Sequence, residues 1–214
     1  MRNISSTVLA LAAMVLSSMT TYLTFFDARY TLTAAIADVK GQVNRGFSSN
    51  SETKSASYRF YIDASLVLSN RGTRSLVVSD VSVVKSSNAD KCIIAEDEKR
   101  VRVQEYSADG RQTAYIKPFI VEPGTVGAKT FWMNPSSIDQ EVAASEEFDL
   151  KPTQDLWCFE WKVFDPNGKK HENSMPAFLL DVSFDLEEGE TTPEGIMKIE
   201  GKSGPTELLK RGLF

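Results

Sequence analysis

The chain has 214 residues, of which 42% are hydrophobic and 25% charged, with a formal net charge of −5. These values are typical of a folded globular domain with an appendage, and they exclude an intrinsically disordered chain. Residues 27–214 hold 23 Lys and Arg (24 less Arg2) against 29 Asp and Glu, without a basic stripe. A nucleic-acid backbone would be repelled rather than attracted, so we expect no nucleic-acid partner.

The first predicted element is an uncharged run from Ile4 to Phe26, bounded by Arg2 and Asp27. As a helix it would be roughly 34 Å long, enough to cross a hydrocarbon core of about 30 Å. A cleaved signal peptide is the alternative, but no A-x-A site follows and apolar character resumes at Tyr22. We therefore predict a cytoplasmic tip and transmembrane anchor over residues 1–26.

The orientation of this anchor rests on two weaker arguments. Arg2 precedes the run and Arg29, Lys40 and Arg45 follow it, so counting Lys and Arg does not settle which side is cytoplasmic. Very short N-terminal tails usually stay in the cytoplasm, and the remainder is rich in predicted strands. We expect the long C-terminal part to lie outside the cytoplasm.

The segment after the anchor fits two structures. Leu32, Ile36, Val39 and Val43 have helical spacing, whereas Leu32, Ala34 and Ile36 also fit a strand, so the pattern over residues 31–43 leaves helix or strand open. Residues 46–56 are rich in Gly, Ser, Asn, Thr and Lys, which is typical of a flexible linker. We predict a juxtamembrane stalk or linker over residues 27–56.

The clearest strand pattern starts at Tyr58. Alternate residues are apolar, which predicts a strand with one buried face: Tyr58, Phe60, Ile62, Ala64, Leu66 and Leu68. After a turn over residues 70–73, the apolar set changes phase between Val78 and Val81, which predicts a β-bulge near Ser79-Asp80. We expect the two strands to pair as a central hairpin.

Several short strands follow, separated by turns. Capping-box spacing of Ser137 and Gln140 predicts the one helix of the domain, to about Glu147. Seven or eight strands with regular turns predict one antiparallel β-sandwich over residues 57–186. The acidic run that starts at Glu187 ends this order, and we predict a mobile tail over residues 187–214.

Three stretches resemble immunoglobulin-like extracytoplasmic domains of bacterial membrane-anchored proteins. They are LVLSNRGTRSL (residues 66–76), VEPG (residues 121–124) and DPNGK (residues 165–169). The resemblance covers roughly residues 57–186 and implies an immunoglobulin-like sandwich without a specific activity. It also implies a single-pass protein of the bacterial inner membrane.

The two cysteines, Cys92 and Cys158, predict one disulfide if the domain lies in an oxidising compartment. Two unpaired thiols in a reducing compartment are the alternative. Cys158 shares its strand face with Glu160 and Lys162, whereas its neighbour Trp157 takes the opposite, apolar face. We therefore expect the bridge to lie at the periphery rather than in the core.

His171 is the only histidine, and Met175 follows four residues later. The two are candidates for a soft, copper-type metal site, but no such cluster repeats and the segment reads as a loop, which favours a solvated histidine. A Ser-His-Asp or Cys-His arrangement would have to use this residue, and no nucleophile motif surrounds any serine. We expect no catalytic residue, no cofactor and no enzyme activity.

The three tryptophans, Trp132, Trp157 and Trp161, fit the core better than a ligand face, although an exposed one would mark a partner surface. The sequence thus predicts a membrane-tethered, non-catalytic binding or assembly module of the cell envelope. Its partner would be another envelope protein or a second copy of itself. A periplasmic, copper-type metal-handling protein is the alternative, and an envelope enzyme comes third.

Overall fold

The computed structural model describes residues 3–25, 30–106, 113–185, 193–202 and 204–211. One helix precedes twelve strands in these ranges. The elements are α1 (Asn3–Phe25), β1 (Tyr30–Ser49), β2 (Thr53–Asn70), β3 (Leu76–Lys85), β4 (Val101–Arg102), β5 (Gln104–Tyr106), β6 (Thr113–Tyr115), β7 (Phe119–Val121), β8 (Val126–Ala143), β9 (Thr153–Phe164), β10 (Lys170–Asp185), β11 (Glu194–Gly201) and β12 (Thr206–Arg211). The predicted mainly β class is confirmed.

The strands form two antiparallel sheets that pack face to face. The first sheet has the order β12-β1-β2-β8-β5-β6, and the second has the order β11-β10-β9-β3-β4 with β7 also paired to β3. A single large apolar cluster, the main core, takes side chains from both sheets. Phe131 of β8 and Phe159 of β9, for example, meet across it with ring centroids 6.2 Å apart. This β-sandwich is compatible with an immunoglobulin-like architecture.

The long strand β2 has the buried face that its alternating sequence predicts. The six alternate side chains are at most 2% exposed: Tyr58, Phe60, Ile62, Ala64, Leu66 and Leu68. Burying one Phe or Leu side chain contributes roughly 1.5–3 kcal/mol, so this row stabilises the sandwich strongly. The predicted β-bulge is confirmed as well, because the pairing of β3 with β9 shifts register between Val78 and Asp80.

The predicted hairpin between β2 and β3 is wrong, because the two strands lie in different sheets. Asn70, which is fully buried, directs the crossing. Its side-chain nitrogen donates to the carbonyls of Arg74 (2.8 Å) and Val121 (2.9 Å), and its oxygen accepts from Gly72 N. The three bonds satisfy this polar group inside the protein and turn the chain from one sheet to the other.

The predicted stalk or linker over residues 27–56 is also wrong for its described part. β1 is a strand, which settles the choice left open for residues 31–43, and it pairs with β2 from Leu32↔Asn70 to Ser49↔Lys54. The Gly- and Ser-rich stretch forms the tip of this hairpin, where the Asn50 side-chain oxygen accepts from Glu52 N and Thr53 N. The polar composition therefore belongs to a solvent-exposed hairpin.

The structure has no helix between Ser137 and Glu147. β8 continues through this residue and pairs with β2 along its length, including Ser137↔Arg59 and Gln140↔Ala56. The predicted helix is wrong because the ladder already satisfies the backbone groups that a capping box would serve.

The predicted mobile tail contains two strands, β11 and β12, so this prediction is wrong for them; the acidic run from Glu187 to Glu190 lies outside the described residues. Glycine allows β11 to pack closely on the first sheet. A Cβ atom on Gly195 would lie 2.8 Å from the Tyr58 ring, and one on Gly41 would lie 2.2 Å from Ile199 Cδ1. Both distances are too short for a side chain, so residues that read as chain breakers mark a close contact between the sheets.

α1 confirms a helix over most of the run from Ile4 to Phe26, although Phe26 itself is outside the described residues. The side chains described in α1, those of residues 8–22, are exposed, and the apolar ones include Leu9 at 71%. Within the described ranges, no helix reaches the combination of length and apolarity that a membrane span requires. The predicted transmembrane span therefore has no support from the structure.

Candidate binding groove

The structure does not bring the two weak metal candidates together. His171 and Met175 both lie on strand β10 and not in the predicted loop. Because a strand rises by about 3.3 Å per residue, four residues separate their Cα atoms by about 13 Å. The Met175 side chain is fully buried in the main core. Among the residues that the structure describes, no group of three His, Cys, Asp or Glu is placed to hold a metal ion.

His171 instead contacts a buried carboxylate. Its Nε2 atom lies 3.2 Å from Asp165 Oδ2, which also accepts from the Tyr30 hydroxyl at 3.0 Å, while Asp165 Oδ1 accepts from Asn167 N and Lys169 N. Burial raises the pKa of Asp165, but the hydrogen bonds from His171, the two backbone N–H groups and Tyr30 outweigh it and lower the pKa overall. The cluster ties the β9–β10 turn to the start of β1, which is a structural role.

The predicted disulfide between Cys92 and Cys158 is present, with Cα atoms 5.9 Å apart. The Cys158 side chain points away from the main core, as its strand face predicts, but it is fully buried. It packs with Val84, Leu156 and Leu179 in a small second cluster on the outer face of the second sheet. The loop that carries Cys92 covers this cluster, so the bridge is peripheral to the main core without being exposed.

Of the three tryptophans, Trp157 and Trp161 are buried, whereas Trp132 is partly exposed on the outer face of the first sheet. The strand neighbours Phe131 and Met133 of Trp132 are fully buried. Trp132 therefore takes the solvent side of an alternating strand. It stacks on Tyr61 of β2, with ring centroids 5.4 Å apart and an interplanar angle of 24°.

Strand pairing extends this aromatic pair into a row. Gln104 of β5 lies opposite Trp132 of β8 on one side and opposite Tyr115 of β6 on the other. Directly opposed residues project to the same face of an antiparallel sheet, so all three share the outer face. The Tyr115 side chain is 61% exposed.

This row contributes to an open groove of about 480 Å³, which we call the outer groove. Its lining residues are Lys99, Arg100, Val101, Arg102, Gln104, Tyr115, Trp132 and Asn134. Those lining residues that the structure describes thus combine two aromatic rings, two amides and three cations, without a carboxylate among them. The Arg102 guanidinium lies 5.9 Å from the centroid of the Tyr115 ring, a cation–π contact.

The three cations differ in their surroundings. Arg100 makes two hydrogen bonds to the Glu160 carboxylate, from Nε at 2.7 Å and from Nη2 at 3.2 Å, and this pairing raises the pKa of Arg100. Within the described part of the chain, neither Lys99 nor Arg102 forms an ion pair with a carboxylate. The outer groove therefore offers two positive charges next to exposed aromatic surface.

A second groove, of about 440 Å³, lies on the outer face of the second sheet and is lined by charged residues of both signs. Here the charges neutralise one another. Glu160 pairs with Arg100, Lys162 pairs with Asp80 at 2.8 Å, and Glu172 pairs with Lys170. This second groove leaves less free hydrogen-bonding capacity for a ligand than the outer groove does.

Comparison with protein-family models gives no match for this chain, and neither does comparison with curated proteins. The outer groove therefore has to be interpreted from its own residues. Sequence reasoning favoured the core for all three tryptophans and allowed that Trp132 or Trp157 could face outward; of these two, Trp157 is buried and Trp132 is partly exposed. It missed Gln104 and Tyr115, because only the pairing of β5 with β8 and of β6 with β5 places them in one row with Trp132. It also missed Arg102, which lies on β4 at the edge of the second sheet.

Proposed function

We propose that this protein is a non-catalytic binding or assembly module of the bacterial cell envelope. In this proposal α1 inserts in the inner membrane as a single-pass anchor, and an immunoglobulin-like sandwich lies outside the cytoplasm. The partner is another envelope molecule or a second copy of the chain. The outer groove carries the proposal, because it exposes aromatic rings beside two cations that form no ion pair with any residue described in the structure.

Three features make this groove suited to binding rather than to chemistry. Its aromatic rings provide contact area at low conformational cost, since each has only two side-chain torsions. Its cations and amides provide directional contacts around them. The described residues of its lining include no Ser, Cys, His, Asp or Glu, the side chains that most often serve as nucleophile or general base.

The membrane tether is supported by the composition of α1. The run from Ile4 to Phe26 contains no charged residue, and apolar side chains along the described part of the helix, such as Val8, Leu11 and Val15, are about 60% exposed. A bilayer would remove this apolar surface from water. The disulfide supports the extracytoplasmic side, because such bridges persist mainly in oxidising compartments.

Site-specific photo-cross-linking in intact cells tests the binding role. A photoreactive residue at Tyr115 should give covalent adducts, whereas one at Ile196, on the outer face of the second sheet, should not. Trp132→Ala in the Tyr115 variant should remove the adducts. Equal adduct patterns at both positions, or adducts insensitive to Trp132→Ala, would count against the groove as a binding site.

The anchor is tested by membrane fractionation. Val15→Arg places a charge near the middle of α1, where insertion scales give a cost of about 2.5–3.5 kcal/mol, so the protein should leave the membrane fraction. Val15→Leu is the matched control and should remain in that fraction. An unchanged distribution of Val15→Arg would show that α1 does not hold the protein in a bilayer.

A further inference from the structure

The chemistry of the outer groove narrows the class of ligand that it fits. Trp132 supplies a flat face whose orientation is fixed from behind by the stacked Tyr61 ring. Tyr115 supplies a second, more exposed ring in the same row. Rings presented in this way favour a ligand with flat, weakly polar C–H faces.

The groove also requires polar groups from its ligand. Gln104 lies between the two rings, and Asn134 lies beside Trp132 in the lining. The Gln104 amide both donates and accepts hydrogen bonds. The Asn134 amide nitrogen donates to the carbonyls of Phe60 and Ser136, so Asn134 offers its oxygen as an acceptor. These groups suit ligand hydroxyls better than a purely apolar surface. A lipid chain or an aliphatic side chain would cover the Gln104 amide without offering it a hydrogen-bond partner, which opposes binding.

The charged residues in the lining narrow the class of ligand further. The lining contains Lys99 and Arg102 in addition to the paired Arg100, and no carboxylate is found among its described residues. A guanidinium binds a carboxylate through two parallel hydrogen bonds, so an acidic ligand gains a directional contact. One guanidinium and one ammonium group match one or two anionic groups of a ligand rather than the many phosphates of a nucleic-acid backbone.

We propose that the outer groove binds an acidic saccharide, a glycan that contains uronic acid residues. One sugar ring packs its C–H face on Trp132, its hydroxyl groups bond to Gln104 and Asn134, and its carboxylate pairs with Arg102 and Lys99. Tyr115 contacts the neighbouring ring. This assignment rests on the proposed binding function and adds the chemical class of the ligand.

Trp132 supplies the readout for the experiment. Because Trp157 and Trp161 are buried, a saccharide that stacks in the groove changes mainly the fluorescence of Trp132. The full chain in detergent micelles is titrated with tri-galacturonate, with the neutral trisaccharide maltotriose and with hexathymidylate, and heats of binding are measured in parallel. We expect saturable binding of tri-galacturonate, at least tenfold weaker binding of maltotriose, and weakening of the acidic ligand by added salt.

Variants locate the site. Trp132→Ala and Arg102→Ala should each weaken tri-galacturonate binding at least tenfold, and Tyr115→Ala should weaken it severalfold. Arg102 and Tyr115 are exposed, so these two variants should keep the parent thermal midpoint and remain informative if Trp132→Ala folds poorly. Lys198→Ala removes an exposed cation on the other sheet and should change the affinity less than twofold.

The outcomes separate the ligand class from the binding function. Equal affinity for maltotriose, tighter binding of hexathymidylate, or no saturable binding of tri-galacturonate would overturn the saccharide assignment. If Tyr115 cross-links in cells while tri-galacturonate fails to bind, the binding function stands and only the ligand class is wrong. If both experiments fail, both proposals fail.

Discussion

The sandwich contains two apolar clusters of very different size on the two sides of the same sheet. Among the residues that the structure describes, the main core has thirty buried residues supplied by both sheets, whereas the small outer cluster has three, Val84, Leu156 and Cys158. The main core is closed by a second sheet, but the outer cluster is covered by a loop with no strand between Ser86 and Arg100. The large apolar area that is buried stabilises the main core. The loop over the small outer cluster depends on the disulfide between Cys92 and Cys158.

Polar contacts support this covering loop as well. The Ser86 side chain donates to the carbonyl of Lys91 at 2.5 Å and accepts from Asn88 N and Ile93 N. Arg100, where the loop ends, is held by Glu160 on β9. Residues 156–159 of strand β9 are therefore buried on both faces of the sheet, although a loop without regular structure covers one of these faces.

The largest effect is expected in the main core. Leu66→Ala removes a fully buried side chain from β2 and should lower the free energy of unfolding by about 2–5 kcal/mol. Ser65→Ala, its neighbour on the outer face, should change it by less than about 0.5 kcal/mol. Chemical denaturation followed by tryptophan fluorescence measures both. Equal losses for the two variants would contradict the assignment of the buried face.

Removal of the disulfide should come second. The bridge closes a sequence separation of 66 residues, and Cys92→Ala with Cys158→Ala should lower stability by about 2–4 kcal/mol. Hydrogen exchange should rise in residues 86–100 and remain slow in β2 and β8. A reducing agent should destabilise the parent and leave the double variant unchanged. Uniformly faster exchange would mean that the bridge also maintains the main core.

A smaller effect is expected at Asp165, the carboxylate buried at the rim of the main core. Asp165→Asn loses charge-assisted contacts to Tyr30 and His171, which should cost about 1–3 kcal/mol at neutral pH.

The pH dependence of this contribution follows from the lowered pKa of Asp165. A carboxylate with a lowered folded-state pKa contributes stability above its unfolded pKa of about 3.9, and this is lost as the pH falls through the folded value. Unfolding measured between pH 7 and pH 2 should therefore show a steeper acid loss for the parent than for Asp165→Asn. Parallel curves would exclude this contribution.

The smallest effect is expected at the ion pair that closes the covering loop. Arg100 and Glu160 are both partly exposed, so solvent screens their attraction. A double-mutant cycle with Arg100→Ala and Glu160→Gln should give a coupling of at most about 1 kcal/mol. A coupling of several kcal/mol would show that polar contacts rather than the disulfide hold the loop.

Local patterns were sufficient to predict the elements that are buried on one face. The alternation from Tyr58 predicted the inward row of β2, and the change of phase after Val78 predicted the bulge. The disulfide followed from the number of cysteines. Each of these inferences needs only neighbouring residues or composition.

The remaining errors arise where distant pairing decides the structure. β1 and β11 contain glycine where the sheets approach closely, and glycine in a sequence predicts a turn or linker. Ser137 and Gln140 have the spacing of a helix start, but β2 offers a long ladder partner. The outer groove also depends on pairing between distant parts of the sequence. Trp132 and Tyr115 lie in one row only because β5 pairs with both of their strands.

The pairing of β12 with β1 determines how the protein responds to mechanical load. Tyr30, the first residue of β1, lies opposite Arg211, the last residue of β12, so the chain enters and leaves the sandwich at the same corner. Tension between α1 and the C terminus therefore acts on the bonds of this pair one after another, starting from that corner, rather than on all of them at once. We expect β12 to separate before the other strands of the first sheet, which would keep their pairing while the chain lengthens.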